Sequence, residues 1–303
     1  MRPNDLVKYN TLTRSLDNYA AVQAMPGITS AVAKDCFIRQ IIDSIRRIEY
    51  IRLIKVKNSP ISADPQSIAF DPLKAAAWHA SQNNIDEAFW LIFLSIHFGR
   101  NKTTKWNLVR DVYSGLGNNI QWDWQSVSQN PAGFRVWLNN NELNLKARGK
   151  VGNHRKYQSL GAYNNSGTGA AVESYVNWIG PLRSHQSLIN QIGNNPKLGF
   201  KQLYRSMNNV MSFGRMAKFD YLTMVGKFGL INIEPDSTYM QGATGPVTGA
   251  KLLFGQQTAS RATLDNLLIN LEGHLGLYFG MQVLEDAVCN WQKSPNNYRY
   301  FGG

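Results

Sequence analysis

The chain is short of acid, and that shortage is its strongest compositional feature. Asp and Glu together number 20 against 32 Lys and Arg, giving a formal charge of +12 and a pI near 9.7. The excess is spread over several segments instead of being held in a tail, so it predicts a folded basic surface. Such a surface favours a polyanionic partner through release of condensed counterions. Cysteine is almost missing. Cys36 and Cys289 are the only two, too few for a disulfide framework and not spaced as a zinc site, so a reducing, cytoplasmic setting is expected. No apolar run reaches the roughly 18 residues that cross a bilayer, which excludes a membrane-spanning role. The opening MRPNDLVKYNTLTRSLDNYA has no apolar core of the secretory kind.

Other absences narrow the chemistry. The Gly242–Lys251 stretch, GATGPVTGAK, has Ala250 between Gly249 and Lys251 and no following Ser or Thr. It therefore fails as a phosphate-binding loop of the kinase type. No Gly-x-Gly-x-x-Gly follows a strand, and no His-x-Glu with Cys-x-x-Cys set is present. No acidic cluster predicts a metal and no resident cofactor is expected, although Mg²⁺ bridging pyrophosphate oxygens stays open.

What remains is helix. From Lys34 to Val56 the apolar residues Cys36, Phe37, Ile41, Ile42, Ile45, Ile48, Ile51 and Leu53 recur at mostly three- and four-residue spacing. Further helices are predicted at Pro72–His79, Asp86–Phe98, Trp106–Leu116, Ala132–Asn139, Phe200–Met211, Ala259–Leu271 and Leu275–Lys293. Strand alternation is scarce, so the fold class is all-α. Asn140–Gly169 and Glu234–Gly249, rich in Asn, Gly and Thr, read as long loops. No linker divides the chain, and residues 1–303 are read as a single helical domain, with a two-lobed form left open.

The segment Phe213–Lys251 carries the clearest functional pattern. A helix breaks at Ser212-Phe213-Gly214, restarts at Arg215, and leads to a turn at Pro235-Asp236-Ser237-Thr238. A tight turn between helices can present backbone N–H groups to a DNA phosphate, with Phe213, Gly214, Arg215 and Lys218 as the DNA-contacting set. Asp236 can serve as an acidic group or simply as a helix cap. Together these residues resemble the helix-hairpin-helix DNA glycosylase superfamily. Ser212 replaces its first glycine, and the residue between Pro and Asp is missing. The resemblance implies a helix-hairpin-helix DNA glycosylase-like helical fold.

Further motifs narrow the family. In order they are Ile96-His97-Phe98-Gly99-Arg100-Asn101, Trp122-Asp123-Trp124, Gly152-Asn153-His154-Arg155-Lys156-Tyr157, the segment above, and Glu285-Asp286-Ala287-Val288-Cys289-Asn290-Trp291. From about Phe70 onward the chain resembles the phage α-glutamyl/putrescinyl-thymine pyrophosphorylases, also called amino acid:DNA transferases. The resemblance implies a transferase acting on double-stranded phage DNA that carries pyrophosphorylated 5-hydroxymethyluracil. The amine of a free amino acid or polyamine would displace pyrophosphate, giving a hypermodified thymine.

That chemistry requires a flipped base, a cationic clamp and a proton acceptor. Tyr157, Tyr239, Trp122 and Trp124 are stacking candidates, although core aromatics are the simpler explanation of each. His154-Arg155-Lys156 is the candidate anion clamp, or a loop touching DNA backbone, with Arg100 and His97 as a weaker second. Asp236 is the first choice for the proton, followed by Glu285 and Asp286. Cys289 shares a helical face with Glu285 and could add to the uracil ring, though a buried structural thiol is the plainer explanation. Cys36 reads as core. The alternatives are a glycosylase using Asp236 against the sugar bond, and a non-catalytic DNA-binding module.

Overall fold

A computed structural model of the chain describes residues 3–118, 120–152, 155 and 158–301. The described residues are helical, and only isolated bridges (Asn101 with Lys105, Ser159 with Gly167) stand where strands would be. The helices are α1 (Pro3–Ala20), α2 (Ala31–Val56), α3 (Pro60–Ala63), α4 (Pro72–Ser81), α5 (Ile85–Phe98), α6 (Asn107–Tyr113), α7 (Trp124–Gln129) and α8 (Pro131–Arg148). They continue with α9 (Thr168–Ile179), α10 (His185–Ile189), α11 (Pro196–Ser206), α12 (Arg215–Phe228), α13 (Gly245–Phe254), α14 (Arg261–Leu275) and α15 (Gly280–Trp291). Among the described residues no helix is long and apolar enough to cross a membrane. The chain forms two compact units, residues 1–50 with 234–303 and residues 51–233, with the division inside α2.

Local chemistry sets many of the helix starts. Asp71 accepts from the Leu73 and Lys74 N–H groups, Asn130 from Gly133, Asn195 from Lys197 and Leu198, and Ser260 from Thr263. Each satisfies backbone donors that the first turn leaves open. Pro72, Pro131 and Pro196 follow three of these caps, where proline lacks only a hydrogen bond the helix could not make.

In the first unit, α1 and residues 31–50 of α2 join α13, α14 and α15 around Leu16, Phe37, Ile41, Leu264, Leu268, Leu284 and Trp291. Cys36 is buried among them, as expected. Arg46 ties α1 to α2 by donating to Asp5 at 2.6 Å and to Asp43 at 2.8 Å. The supposed loop at 234–249 ends in α13, a helix hidden by its own glycines. A Cβ on Gly249 would lie 2.1 Å from the Val288 carbonyl oxygen, and one on Gly245 would lie 2.6 Å from Cys289 Sγ. The glycine pair lets α13 settle directly on the backbone of α15. Tertiary contact outweighs the poor helix propensity of glycine here.

In the second unit α5 is central and touches α4, α6, α7, α10 and α12. Its residues Phe89 to Leu94 are almost completely buried, which fits a helix apolar on every side. The Asn-rich stretch after Asn139 also differs from expectation. There α8 continues to Arg148, because Phe134, Leu138 and Leu145 share a buried face while the asparagines lie on the others. Two further boundaries move. α6 stops at Tyr113, before Leu116 takes a left-handed φ of 67°. α14 ends at Gly276, so α15 begins only at Gly280.

Candidate active site

The turn between α11 and α12 is built around one left-handed residue. Ser212 has φ 60°, a conformation that favours glycine, and it stands where the resembling motif keeps its first glycine. Its hydroxyl donates to the Ser166 carbonyl at 2.7 Å, and its own carbonyl accepts from Gln158 Nε2 at 3.2 Å. The Met211 N–H donates to Ser174 Oγ at 2.8 Å. Phe213 is buried and stacks on Phe93, with centroids 4.9 Å apart and planes within 7°. Burying that ring contributes roughly 1.5–3 kcal/mol to holding the turn. Gly214 is exposed and caps α12 in extended conformation, with open space where a Cβ would stand. Arg215 is half-buried, its guanidinium 6.0 Å from the Phe219 ring. Lys218 faces inward. It is 7% exposed, its ammonium bonds Asn208 and lies 4.3 Å from the Tyr204 ring centre, and burial lowers its pKa.

Behind this turn the chain from Gly152 meets the end of α5. The Gly152 N–H donates to the Phe98 carbonyl at 2.7 Å, and a Cβ there would lie 2.9 Å from the Gly99 carbonyl carbon. Gly99, at φ 67°, gives room to the Arg155 stem. Arg155 is 9% exposed. Its Nε donates to the Ile96 carbonyl at 2.7 Å and its Nη2 to Asp220 Oδ2 at 3.0 Å. Asp220, on α12, keeps 38% of its side-chain surface open. Dense protein around the carboxylate nevertheless raises its pKa by desolvation, against the opposing charges of Arg155, Lys227 and Arg215. Raised proton affinity makes a carboxylate a better proton acceptor than an ordinary one.

His97 lies beneath the same cluster and is fully buried. The Thr168 hydroxyl donates to the Ser159 carbonyl at 2.9 Å, so it accepts from His97 Nε2–H at 3.0 Å. Nδ1 therefore carries the lone pair, and it meets no partner among the described residues. Burial, assisted by the Arg155 charge, pushes the His97 pKa down to about 3, so the ring is neutral.

A second buried polar chain runs through this unit. Tyr221 and Tyr175 share a hydroxyl–hydroxyl bond of 2.7 Å, Tyr175 reaches His185 Nε2 at 2.7 Å, and His185 Nδ1 meets Asp86 Oδ1 at 2.6 Å. Burial lowers the His185 pKa despite Asp86. Burial pushes the Asp86 carboxyl up, but the hydrogen bonds from His185 bring it below the usual value. A neutral imidazole donating to an ionised carboxylate satisfies both.

In the first unit, Asp236 lies in an irregular stretch; α13 begins only at Gly245, so Asp236 starts no helix. Its Oδ1 accepts from the Tyr239 hydroxyl at 2.6 Å, and Tyr239 itself has φ 51°. Asp265 on α14 fixes the turn by accepting from the Thr238 N–H at 2.9 Å and from the Ser237 and Thr238 hydroxyls. Asp286 has both oxygens engaged. Oδ2 accepts from Ser44 at 2.8 Å and from Arg47, while Oδ1 accepts from Asn290 at 2.9 Å. Cys289 is half-buried against Gly245 and in no disulfide, and Glu285 is half-buried. No group of three or more His, Cys, Asp or Glu able to hold a metal gathers among the described residues.

The model of one protein family, alpha-glutamyl/putrescinyl thymine pyrophosphorylase clade 3, matches residues 32–303. The chain belongs to this family. As a member it is a transferase of thymine modification that handles pyrophosphate. No curated protein and no solved structure matches the chain.

With the family known, the residues singled out by sequence separate by their place in the structure. Phe213, Gly214, Arg215 and Lys218 form the helix turn, Phe213 and Lys218 facing inward. His97 and Arg155 join them in one cluster, whereas Arg100 is exposed. Asp236, Tyr239, Glu285, Asp286 and Cys289 belong to the other unit. His154, Lys156 and Tyr157 lie outside the described residues. Trp122 and Trp124 are buried core. Sequence reasoning missed Asp220, Thr168 and Asp265. Only Asp220 had a signal, as the single acid among the basic residues of α12.

Proposed function

We propose that the protein transfers the amine of an amino acid or polyamine onto the 5-methylene of a pyrophosphorylated 5-hydroxymethyluracil in duplex DNA. The nitrogen lone pair forms the new C–N bond, the C–O bond to pyrophosphate breaks, and the amine proton passes to a carboxylate. Membership of the family over residues 32–303 is the observation that carries this reading. The charge of +12 supports DNA as the carrier of the base. So does the exposed start of α12, where N–H groups and Arg215 can meet a backbone phosphate.

Asp220 is the proposed proton acceptor. It combines an accessible carboxylate, raised proton affinity and three cationic neighbours. Asp236 is the competing acceptor. Arg155, held by Ile96 and Asp220, is the described member of the proposed His154-Arg155-Lys156 pyrophosphate clamp. Asp286, bonded on both oxygens, is assigned a structural role. The target base must leave the duplex stack to be reached.

The test incubates the protein with DNA containing 5-(pyrophosphorylmethyl)uracil and a mixture of amino acids and polyamines, followed by nucleoside mass spectrometry. An amine adduct on the thymine methylene is expected. An abasic site would establish base excision instead, and unchanged nucleosides would leave only DNA binding.

A further inference from the structure

We infer that the 51–233 unit carries a further DNA contact, a basic cleft that receives backbone phosphates in addition to the helix turn at Ser212–Gly214. The inference rests on the DNA-modifying reading above. A cavity of about 780 Å³ opens between the 101–103 loop, the end of α8 and the residues 149–151 and 158–160. Its polar lining includes Asn101, Lys102, Lys146, Lys150, Gln158 and Ser159.

The two stretches of chain that wall this cleft are free of acid. No Asp or Glu occurs between Glu87 and Asp111, or between Glu142 and Glu173. The acids at their borders are already matched. Glu142 pairs with Lys146 at 2.5 Å. Asp111, buried, is shared by Arg110 at 3.1 Å and Arg148 at 2.9 Å, which leaves one positive charge over. Lys102 and Lys150 are exposed and make no ion pair among the described residues. The chain that bears them is braced. Asn101 Oδ1 accepts from the Thr103 and Thr104 N–H groups at 2.9 and 3.0 Å, and its Nδ2 donates to the Val151 carbonyl at 2.9 Å. The Lys150 N–H donates to Thr104 Oγ1 at 3.2 Å. The cleft thus offers two unpaired ammonium groups on hydrogen-bonded backbone, in a setting that repels no anion.

Phosphate is the chemistry that fits, and it has two sources here: the DNA backbone and the pyrophosphate that leaves. Continuity favours the backbone. Gln158 lines the cleft and also donates to the Ser212 carbonyl, so one side chain joins the cleft wall to the helix turn. A strand held at the start of α12 can continue along it.

The experiment compares the wild-type chain with a Lys102→Ala/Lys150→Ala double variant. Fluorescence anisotropy on a short unmodified duplex is recorded over a series of salt concentrations. Two lost phosphate contacts should reduce the slope of log K against log salt by about 1.8, and affinity near 0.1 M salt about tenfold or more. Affinity for pyrophosphorylated DNA should fall by the same factor, while calorimetric binding of inorganic pyrophosphate stays unchanged. Lys102→Arg/Lys150→Arg should retain wild-type affinity and slope. Unchanged slope and affinity in the alanine variant would overturn the inference, as would a loss confined to pyrophosphate binding. If the wild type binds DNA with the predicted slope difference but transfers nothing, the proposed reaction fails and the cleft stands.

Discussion

Glu87 offers a stability test whose size follows from its surroundings. It lies in the first turn of α5, is 5% exposed, and accepts from the Trp124 N–H at 2.8 Å, so it helps cap α7 beside Asp123. Burial raises its pKa from 4.5 to about 7, reinforced by Asp123 and Asp86 and opposed by Trp124 and Tyr113. Because the folded value lies above the unfolded one, the native state holds the proton more tightly. The stabilisation is therefore complete below pH 4.5 and lost as pH rises through about 7. At about 1.4 kcal/mol for each tenfold change in proton affinity, the loss is roughly 3 kcal/mol. Glu87→Gln keeps an acceptor for Trp124 and removes the ionisation. Urea unfolding followed by tryptophan fluorescence should find the variant near wild type around pH 4.5 and about 3 kcal/mol more stable around pH 8. An equal difference at both pH values would refute the reasoning.

Substitutions at four positions probe other parts of the structure. Asp220→Asn should lower kcat by at least about 100-fold with DNA affinity retained. The acid limb of the wild-type rate profile should lie above the ordinary carboxylate range, since rate falls as pH drops through the raised pKa; full turnover by this variant, with loss in Asp236→Asn, would transfer the proton to Asp236. Gly249→Val places a side chain against the Val288 backbone and should destabilise by about 3 kcal/mol or more, read as a lowered urea midpoint. Ser212→Gly should change stability by less than about 1 kcal/mol, because relief of the left-handed strain offsets the lost bond to Ser166. Ser212→Val should cost about 2 kcal/mol, and equal unfolding midpoints for these two variants would show that the strain is absent.

The long apolar helices were legible because their periodicity is the same signal that buries them. Ile41, Ile42 and Ile48 in α2 and Phe89–Leu94 in α5 are core for that reason. α13 was hidden because its glycines serve contact with α15, a reason that no local pattern carries. The helix turn was visible in Ser212-Phe213-Gly214, yet sequence could not show that Lys218 points inward, since burial of its ammonium depends on Asn208 and Tyr204. His97 looked like a polar site residue. The structure shows its ring neutral, buried and bonded to Thr168 beneath the cluster. Asp220 went unnoticed because a lone acid inside a helix resembles any solvated charge, and only the approach of Arg155 from 65 residues away distinguishes it.

The central claim is that an amine replaces pyrophosphate on the base, and stoichiometry tests it most directly. Pyrophosphate release should be followed with an enzyme-coupled assay while the modified nucleoside is quantified from the same DNA. Release that requires both pyrophosphorylated DNA and an amine, with one pyrophosphate freed for each adduct formed, is the predicted result. Release without amine, or loss of the base with no adduct, would contradict the account.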